Sequence, residues 1–267
     1  MTKKELLDRC ARSGEERMLL ARTLDKLELA QNRGVPAHTP FLSPGEGASV
    51  TDLLNAWGRP RHLFWGGYEG AERTICVFLP DWQEDEDFLS DPEGPLAAIQ
   101  ATFHDSASLS HRDILGSLMG LGITREKLGD ILLPEPGTCQ VVVLKEAVSI
   151  LTSQWEGAGR YKCREVRQIP LSALAPKPPQ IKTIRDTVAS PRLDAVLSSG
   201  FSLSRSKAAA YIAAGKVAVN HRECLKSDKT VEEGDVLTCR GLGKCVVKEV
   251  PGQSKKGRTM LVLERYL

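Results

Sequence analysis

Apolar residues recur at helical spacing near the start of the chain and at strand spacing soon afterwards. Residues 3–32 carry the helical period, and the Ser13/Glu16 pair is a capping-box signature that starts a second helix with Leu20, Leu24 and Leu27 on one face. Residues 50–57 predict another short helix. Residues 62–65 and 74–79 predict strands, separated by Gly66-Gly67 and Gly70, so the opening segment reads as a small α/β unit. From 96 to 170 the period alternates more clearly. A strand at 99–103 is followed by a helix at 112–121 and by strands at 130–133 and 140–144, split by Pro134, Pro136 and Gly137; a helix at 147–154 and a strand at 161–169 complete the run. Further on, the spacing predicts a helix at 192–197, a turn at 198–201, a second helix at 204–214 and strands at 215–220 and 234–239. Alternation at 245–250 and 259–266 makes Ser254 to Arg258 the tip of a hairpin.

Prolines and acidic runs divide these elements. Ala175-Pro176-Lys177-Pro178-Pro179 cannot continue a helix or a central strand and marks a linker. Asp81 to Gly94 gathers seven acidic residues (81, 84, 85, 86, 87, 91 and 93) beside Pro92 and Pro95, and reads as an exposed acidic loop. For 267 residues, two or three domains are expected. The division is an N-terminal α/β domain at 1–90, a central domain at 95–174, a linker at 175–181 and a C-terminal domain at 182–267. The class is α+β. The βαββαβ order of the central segment is that of the ferredoxin-like, or RNA-recognition-type, plait. A working RNA-recognition sheet carries stacking aromatics on its central strands, and 140–144 has none, so fold analogy supports RNA binding by this segment only weakly.

Composition is that of an ordinary folded protein, with 41% apolar and 26% charged residues. No apolar run approaches the roughly 18 residues of a membrane span, and Met1-Thr-Lys-Lys-Glu-Leu-Leu is unlike a signal peptide, so a cytoplasmic protein is expected. Seven scattered cysteines without a CxxC pair argue for reduced core thiols rather than zinc or disulfides. No metal or cofactor is expected. Net charge is only +2, but it is unevenly placed. Residues 177–267 hold 17 Lys and Arg against 9 Asp and Glu, a net +8, while residues 1–176 hold 19 against 25, a net −6. A basic module on an acidic body is the footprint of a polyanion contact, or else simply a solvated basic surface.

Within the basic module, Ser204 is placed to cap a helix whose first turn carries unpaired N–H groups and a positive dipole end, with Arg205 and Lys207 beside it. Phosphate binding is expected there. Ala208, Ala209, Ile212 and Ala213 supply the packed face, and Lys216, Asn220, Arg222 and Lys226 extend a cationic surface over the strand and turn. For Arg192, an ion pair and an RNA contact are equally open readings; Asp194 reads as a buried cap or partner. Lys255, Lys256 and Arg258 present three cations at the hairpin tip, suited to a phosphate backbone. The order Arg192-Leu-Asp194, Ser204-Arg205, Gly215 to Asn220, then Gly234-Asp235 resembles the RNA-binding domain named after ribosomal small-subunit protein four, with its alpha-L helical pair.

Several catalytic patterns fail on inspection. His111-Arg112-Asp113 lacks the companion motifs of a kinase, Arg192-Leu193-Asp194 lacks the surroundings of a pseudouridine-synthase aspartate, and Gly241-Leu242-Gly243 leads into a strand rather than a helix. The nucleotide-binding signatures of a tyrosyl-transfer-RNA synthetase are missing. The five histidines are dispersed. The whole chain resembles the YlmH-type family of bacterial RNA-binding proteins. The likeness rests on Thr39-Pro-Phe41-Leu, Gly66-Gly67-Tyr68 with Ala71-Glu72-Arg73, Ser110 to Asp113 leading to Leu115-Gly116, Gly122-Ile123 with Arg125 and Gly129-Asp130-Ile131, Ser190 to Leu197, and the Lys255-Lys256-Gly257-Arg258 tip. A non-enzymatic, monomeric protein is expected, and the resemblance implies binding to ribosomal RNA of the large ribosomal subunit together with peptidyl-tRNA, in ribosome-associated quality control. For the 110–131 segment, helix packing with Arg112 and Asp113 as caps or ion pairs is favoured over a ribosome contact. An RNA-modifying enzyme using residues 1–170 and a cell-division adaptor are the alternatives.

Overall fold

The computed structural model describes residues 2–91, 93–104 and 108–267 and falls into two compact units, Met1–Lys177 and Pro178–Leu267. Pro92, part of the acidic punctuation, lies outside the described residues. Helices and antiparallel sheets together make the α+β class expected.

In the first unit, hydroxyl caps set the helix starts. Thr2 and Ser13 accept the Glu5 and Glu16 N–H groups, opening α1 (Lys3–Cys10) and α2 (Gly14–Arg33), and each such cap contributes about 1 kcal/mol. α3 (Pro44–Trp57) starts six residues earlier than its apolar period suggests, because Ser43 and Glu46 close a capping box around Pro44. The helices pack on a three-stranded antiparallel sheet in the order β1 (Ala37–His38), β3 (Ile75–Phe78), β2 (Leu63–Trp65). Leu20, Leu24 and Leu27 are buried there with Leu6, Leu53 and Leu54. The acidic segment is not wholly loop. Asp85–Ser90 forms α4, with its carboxylates in the first turn, where the helix dipole favours them, and Phe88 buried.

β4 (Leu96–Thr102), α5 (His111–Gly120), β5 (Leu128–Leu132), β6 (Thr138–Leu144), α6 (Val148–Gln154) and β9 (Glu165–Ile169) follow the expected βαββαβ order. The sheet order β5-β6-β4-β9, antiparallel throughout, is the ferredoxin-like plait. The stretch expected as one strand over 161–169 is broken. A hairpin of β7 (Gly157–Ala158) and β8 (Tyr161–Lys162) precedes β9, turned by Gly159 at φ +58°. Ile99, Val141 and Val143 face α5 and α6, whereas Leu96, Val142 and Leu144 on the opposite face pack with Phe41, Ile75 and Val77. That shared core crosses the boundary expected between 1–90 and 95–174. It also covers the sheet face that an RNA-recognition domain uses for stacking.

Residues singled out by the family likeness knit this junction. Asp130 accepts hydrogen bonds from the Tyr68 hydroxyl at 2.7 Å and from the Glu72 and Arg73 N–H groups. Arg73 donates to the carbonyls of Leu128 and Arg125, both at 2.8 Å. Asp113 closes a capping box with Ser110, whose hydrogen bonds hold its carboxyl below the ordinary range.

The second unit begins with a strand, β10 (Ile181–Val188), which takes over the end of the expected linker and pairs along its whole length with β15 (Thr259–Tyr266). The six-stranded sheet runs β10-β15-β14-β13-β11-β12, with β11 (Val217–Val219), β12 (Arg222–Glu223), β13 (Val236–Cys239) and β14 (Gly243–Gln253). α7 (Leu193–Phe201) and α8 (Arg205–Ala213) pack on one face through Leu193, Val196, Leu197, Ala208 and Ile212. Residues 198–201, expected as a turn, continue α7. Ala213, expected in the packed face, is exposed.

All seven cysteines are free thiols, and burial pushes Cys76 up to about 12 and Cys245 up to about 11. Among the described residues, no helix is long and apolar enough to cross a membrane, and no group of three or more His, Cys, Asp or Glu is placed to hold a metal ion.

Candidate nucleic-acid interface

Asp194 organises the cationic end of the helical pair. It sits in the first turn of α7, 7% exposed, and its two carboxylate oxygens accept from Arg192 Nε at 3.2 Å and from an Arg205 guanidinium nitrogen at 2.8 Å. Burial pushes its carboxyl up, but the hydrogen bonds and charges of Arg205 and Arg192 outweigh that and hold it below the ordinary carboxylate value. The ion-pair reading of Arg192 is thus realised. Its side chain nevertheless remains 43% exposed and that of Arg205 59%, so both present cationic edges to solvent while anchored from beneath.

Backbone groups fix what surrounds this anchor. The N–H groups of Leu193 and Asp194 donate to the carbonyls of Lys229 and Ser227 at 2.8 and 3.0 Å. The loop carrying Lys226 and Lys229 is thereby drawn to the start of α7. At α8, Ser204 accepts from the Lys207 N–H at 3.2 Å. The N–H groups of Arg205 and Ser206 have no acceptor among the described residues, so this end keeps donors and dipole for an anion, with the Lys207 side chain exposed beside them. Arg192, Ser204, Arg205, Lys207 and Lys226 therefore belong to one edge.

Other predicted positions lie elsewhere. Lys216 is exposed, its ammonium 5.3 Å from the Tyr211 ring centre, and its carbonyl accepts from Arg240 N–H. Asn220 has a structural part. With His221 it forms a two-residue hairpin turn at positive φ, and its amide donates to Asp235 at 2.7 Å and accepts from Val236 N–H at 2.9 Å. Both ends of the side chain thus tie β11 to β13, although the residue itself is exposed. Arg222, on β12, is only partly exposed. At the hairpin tip Lys255 and Lys256 project, but Arg258 folds back to donate to the Thr187 hydroxyl and carbonyl on β10. Lys229 and Arg240 are two further exposed cations of this unit. Lys229 is readable from its spacing after Arg222 and Lys226, whereas Arg240 is placed by a turn whose N–H closes against Lys216.

Residues 15–78 match the family model described as "YlmH, N-terminal", residues 96–172 the one described as "Putative RNA-binding domain in YlmH", and residues 191–237 the S4 domain. Over 254 residues the chain is 31% identical to "Ribosome-associated protein quality control protein P2" of Bacillus subtilis (strain 168), with 94% of this chain and 95% of that relative covered. The chain belongs to the YlmH family. A solved structure, "Cell division protein ylmH from Streptococcus pneumoniae", is similar at a TM-score of 0.49 and 19% identity, covering 61% of this chain and 95% of that one. In this YlmH-family chain the S4 domain, an alpha-L-type RNA-binding domain, runs from α7 into β13 and contains the Asp194 anchor, Ser204 and the 226–229 loop. The Lys255/Lys256 tip falls outside that span.

Proposed function

We propose that this protein is a non-catalytic factor that binds ribosomal RNA on the large ribosomal subunit, together with peptidyl-tRNA, in quality control of stalled translation in the cytoplasm. The observation that carries this reading is the cationic edge of the S4 domain, where Arg192 and Arg205 are held by one buried carboxylate beside an uncapped pair of helix N–H groups and the Lys226/Lys229 loop. Such an edge binds phosphate by charge and by N–H donation without needing a reactive group. The name of the Bacillus subtilis relative supports the ribosomal setting. Lys216, Lys255 and Lys256 extend the proposed contact, and Asn220 and Arg258 are left out of it because their side chains are spent within the fold.

The test is co-sedimentation with purified large ribosomal subunits. Lys207→Glu combined with Lys226→Glu, both at exposed positions, should weaken binding about tenfold or more, as expected for reversing two phosphate contacts. Unchanged sedimentation of a folded double variant would remove this edge from the interface. Mass analysis of the bound RNA before and after incubation checks the non-catalytic part, since any protein-dependent mass change would mark an enzyme.

A further inference from the structure

The central plait offers a second surface, away from its covered sheet face. Residues 160–167 hold four cations, Arg160, Lys162, Arg164 and Arg167, against one acid, Glu165, whereas residues 1–159 hold 15 Lys and Arg against 24 Asp and Glu. All four cations are exposed. A concentrated positive patch on an otherwise negative unit is the footprint that a polyanion contact leaves.

The hairpin that bears it is tied to the rest of the plait. Trp155 Nε1 donates to Ser117 Oγ at 3.0 Å and to the Gly157 carbonyl at 3.1 Å, and the Ser117 hydroxyl also donates to that carbonyl. Gly159 lies against Asp113 of α5, and the Arg164 N–H is tied to Thr102 of β4 at 2.7 Å. Beside the cations is an open cavity of about 640 Å³, walled in part by Trp155, Arg160, Tyr161 and Lys162. The Arg160 guanidinium lies over the Tyr161 ring, its carbon 5.1 Å from the ring centre, and donates to the Tyr161 hydroxyl at 2.9 Å. Planar aromatic and guanidinium surfaces next to phosphate-binding cations are what an unpaired, splayed nucleotide requires.

We propose that the β7–β8 hairpin and the start of β9 form a second RNA contact, with the sugar-phosphate backbone on Arg160, Lys162, Arg164 and Arg167 and one unpaired base in the cavity against the Arg160–Tyr161 pair. The inference rests on the reading of the chain as an RNA binder and names a surface for the central domain that avoids the occluded sheet.

The experiment uses the full chain and ribosomal RNA of the large subunit carrying 4-thiouridine. Photo-crosslinking should place nucleotides on a peptide containing Tyr161. Lys162→Glu with Arg167→Glu should lower affinity at least about threefold and reduce the slope of log K against log salt by about 0.7 for each phosphate no longer neutralised. Tyr161→Leu should reduce crosslinking at the hairpin while leaving that slope unchanged. Crosslinks confined to residues 178–267, with an unchanged slope in the folded double variant, would overturn the inference while leaving the RNA-binding reading intact. Failure of the wild-type chain to retain any of this RNA would instead sink that reading, and the inference with it.

Discussion

Asp194 shows how much one buried carboxylate can decide. Its residue type and position are readable as a buried cap or partner, but the sequence alone leaves Arg192 divided between an ion pair and an RNA contact; only the distances show that Arg192 and Arg205 converge on the same group. A carboxyl held below its ordinary value adds stability above about pH 4, where the unfolded group is ionised, and that stability drains away as pH falls through the folded value. Asp194→Asn should therefore cost about 1–3 kcal/mol at pH 7. The difference from wild type should narrow as pH falls below the ordinary carboxylate value and on through the lower folded one, because the wild-type side chain then becomes neutral as well. Urea unfolding at pH 7 and in acid measures it, and a penalty independent of pH would assign the stabilisation to packing. The same pair decides which variants report on RNA. Arg205→Glu is expected to weaken ribosome binding by at least about 1 kcal/mol, yet it also sets a second carboxylate against Asp194. Lys207, which has no acidic partner among the described residues, separates binding from folding.

Among the elements, some caps are legible in the sequence and the close approaches are not. Ser13 and Ser204 each accept the N–H three residues on, as read, whereas the Thr2 and Ser43 caps have to be found in the structure. Ser198-Ser199-Gly200, in contrast, carries a turn signature that the fold overrides. A Cβ at Gly200 would lie 2.8 Å from the fully buried Cys245 sulfur, so the glycine serves a helix-to-sheet approach rather than a turn. Local sequence cannot reveal a neighbour 45 positions away. Gly200→Ala would offset the contact with about 1 kcal/mol of helix propensity, which makes Gly200→Val the sharper probe. It is expected to destabilise the protein by at least about 2 kcal/mol through overpacking, with Cys245→Ala in the same chain restoring part of the loss. Thermal unfolding of the single and double variants decides; a neutral Gly200→Val would mean that α7 stands further from β14.

At the scale of the molecule, the net charge of +2 conceals a division that the fold makes physical. The unit Pro178–Leu267 has its own buried core and carries the positive excess. The hairpin tip contributes to that excess, and its three cations look equivalent in the sequence. They differ because β10, a strand the Pro-rich punctuation concealed, lies beside β15 and supplies Thr187 to bind the Arg258 guanidinium. Lys255 and Lys256 remain exposed. For a binder that acts by releasing counterions, each phosphate contact contributes about 0.7 to 0.9 to the slope of log K against log salt. Lys255→Ala and Lys256→Ala should each lower that slope by about one unit in titrations with large ribosomal subunits. Arg258→Ala should leave the slope alone and instead lower the unfolding temperature, because what it removes is a tie between β10 and the hairpin. If all three variants changed the slope equally, Arg258 would have to leave Thr187 when RNA binds, and the tip would act as three cations after all.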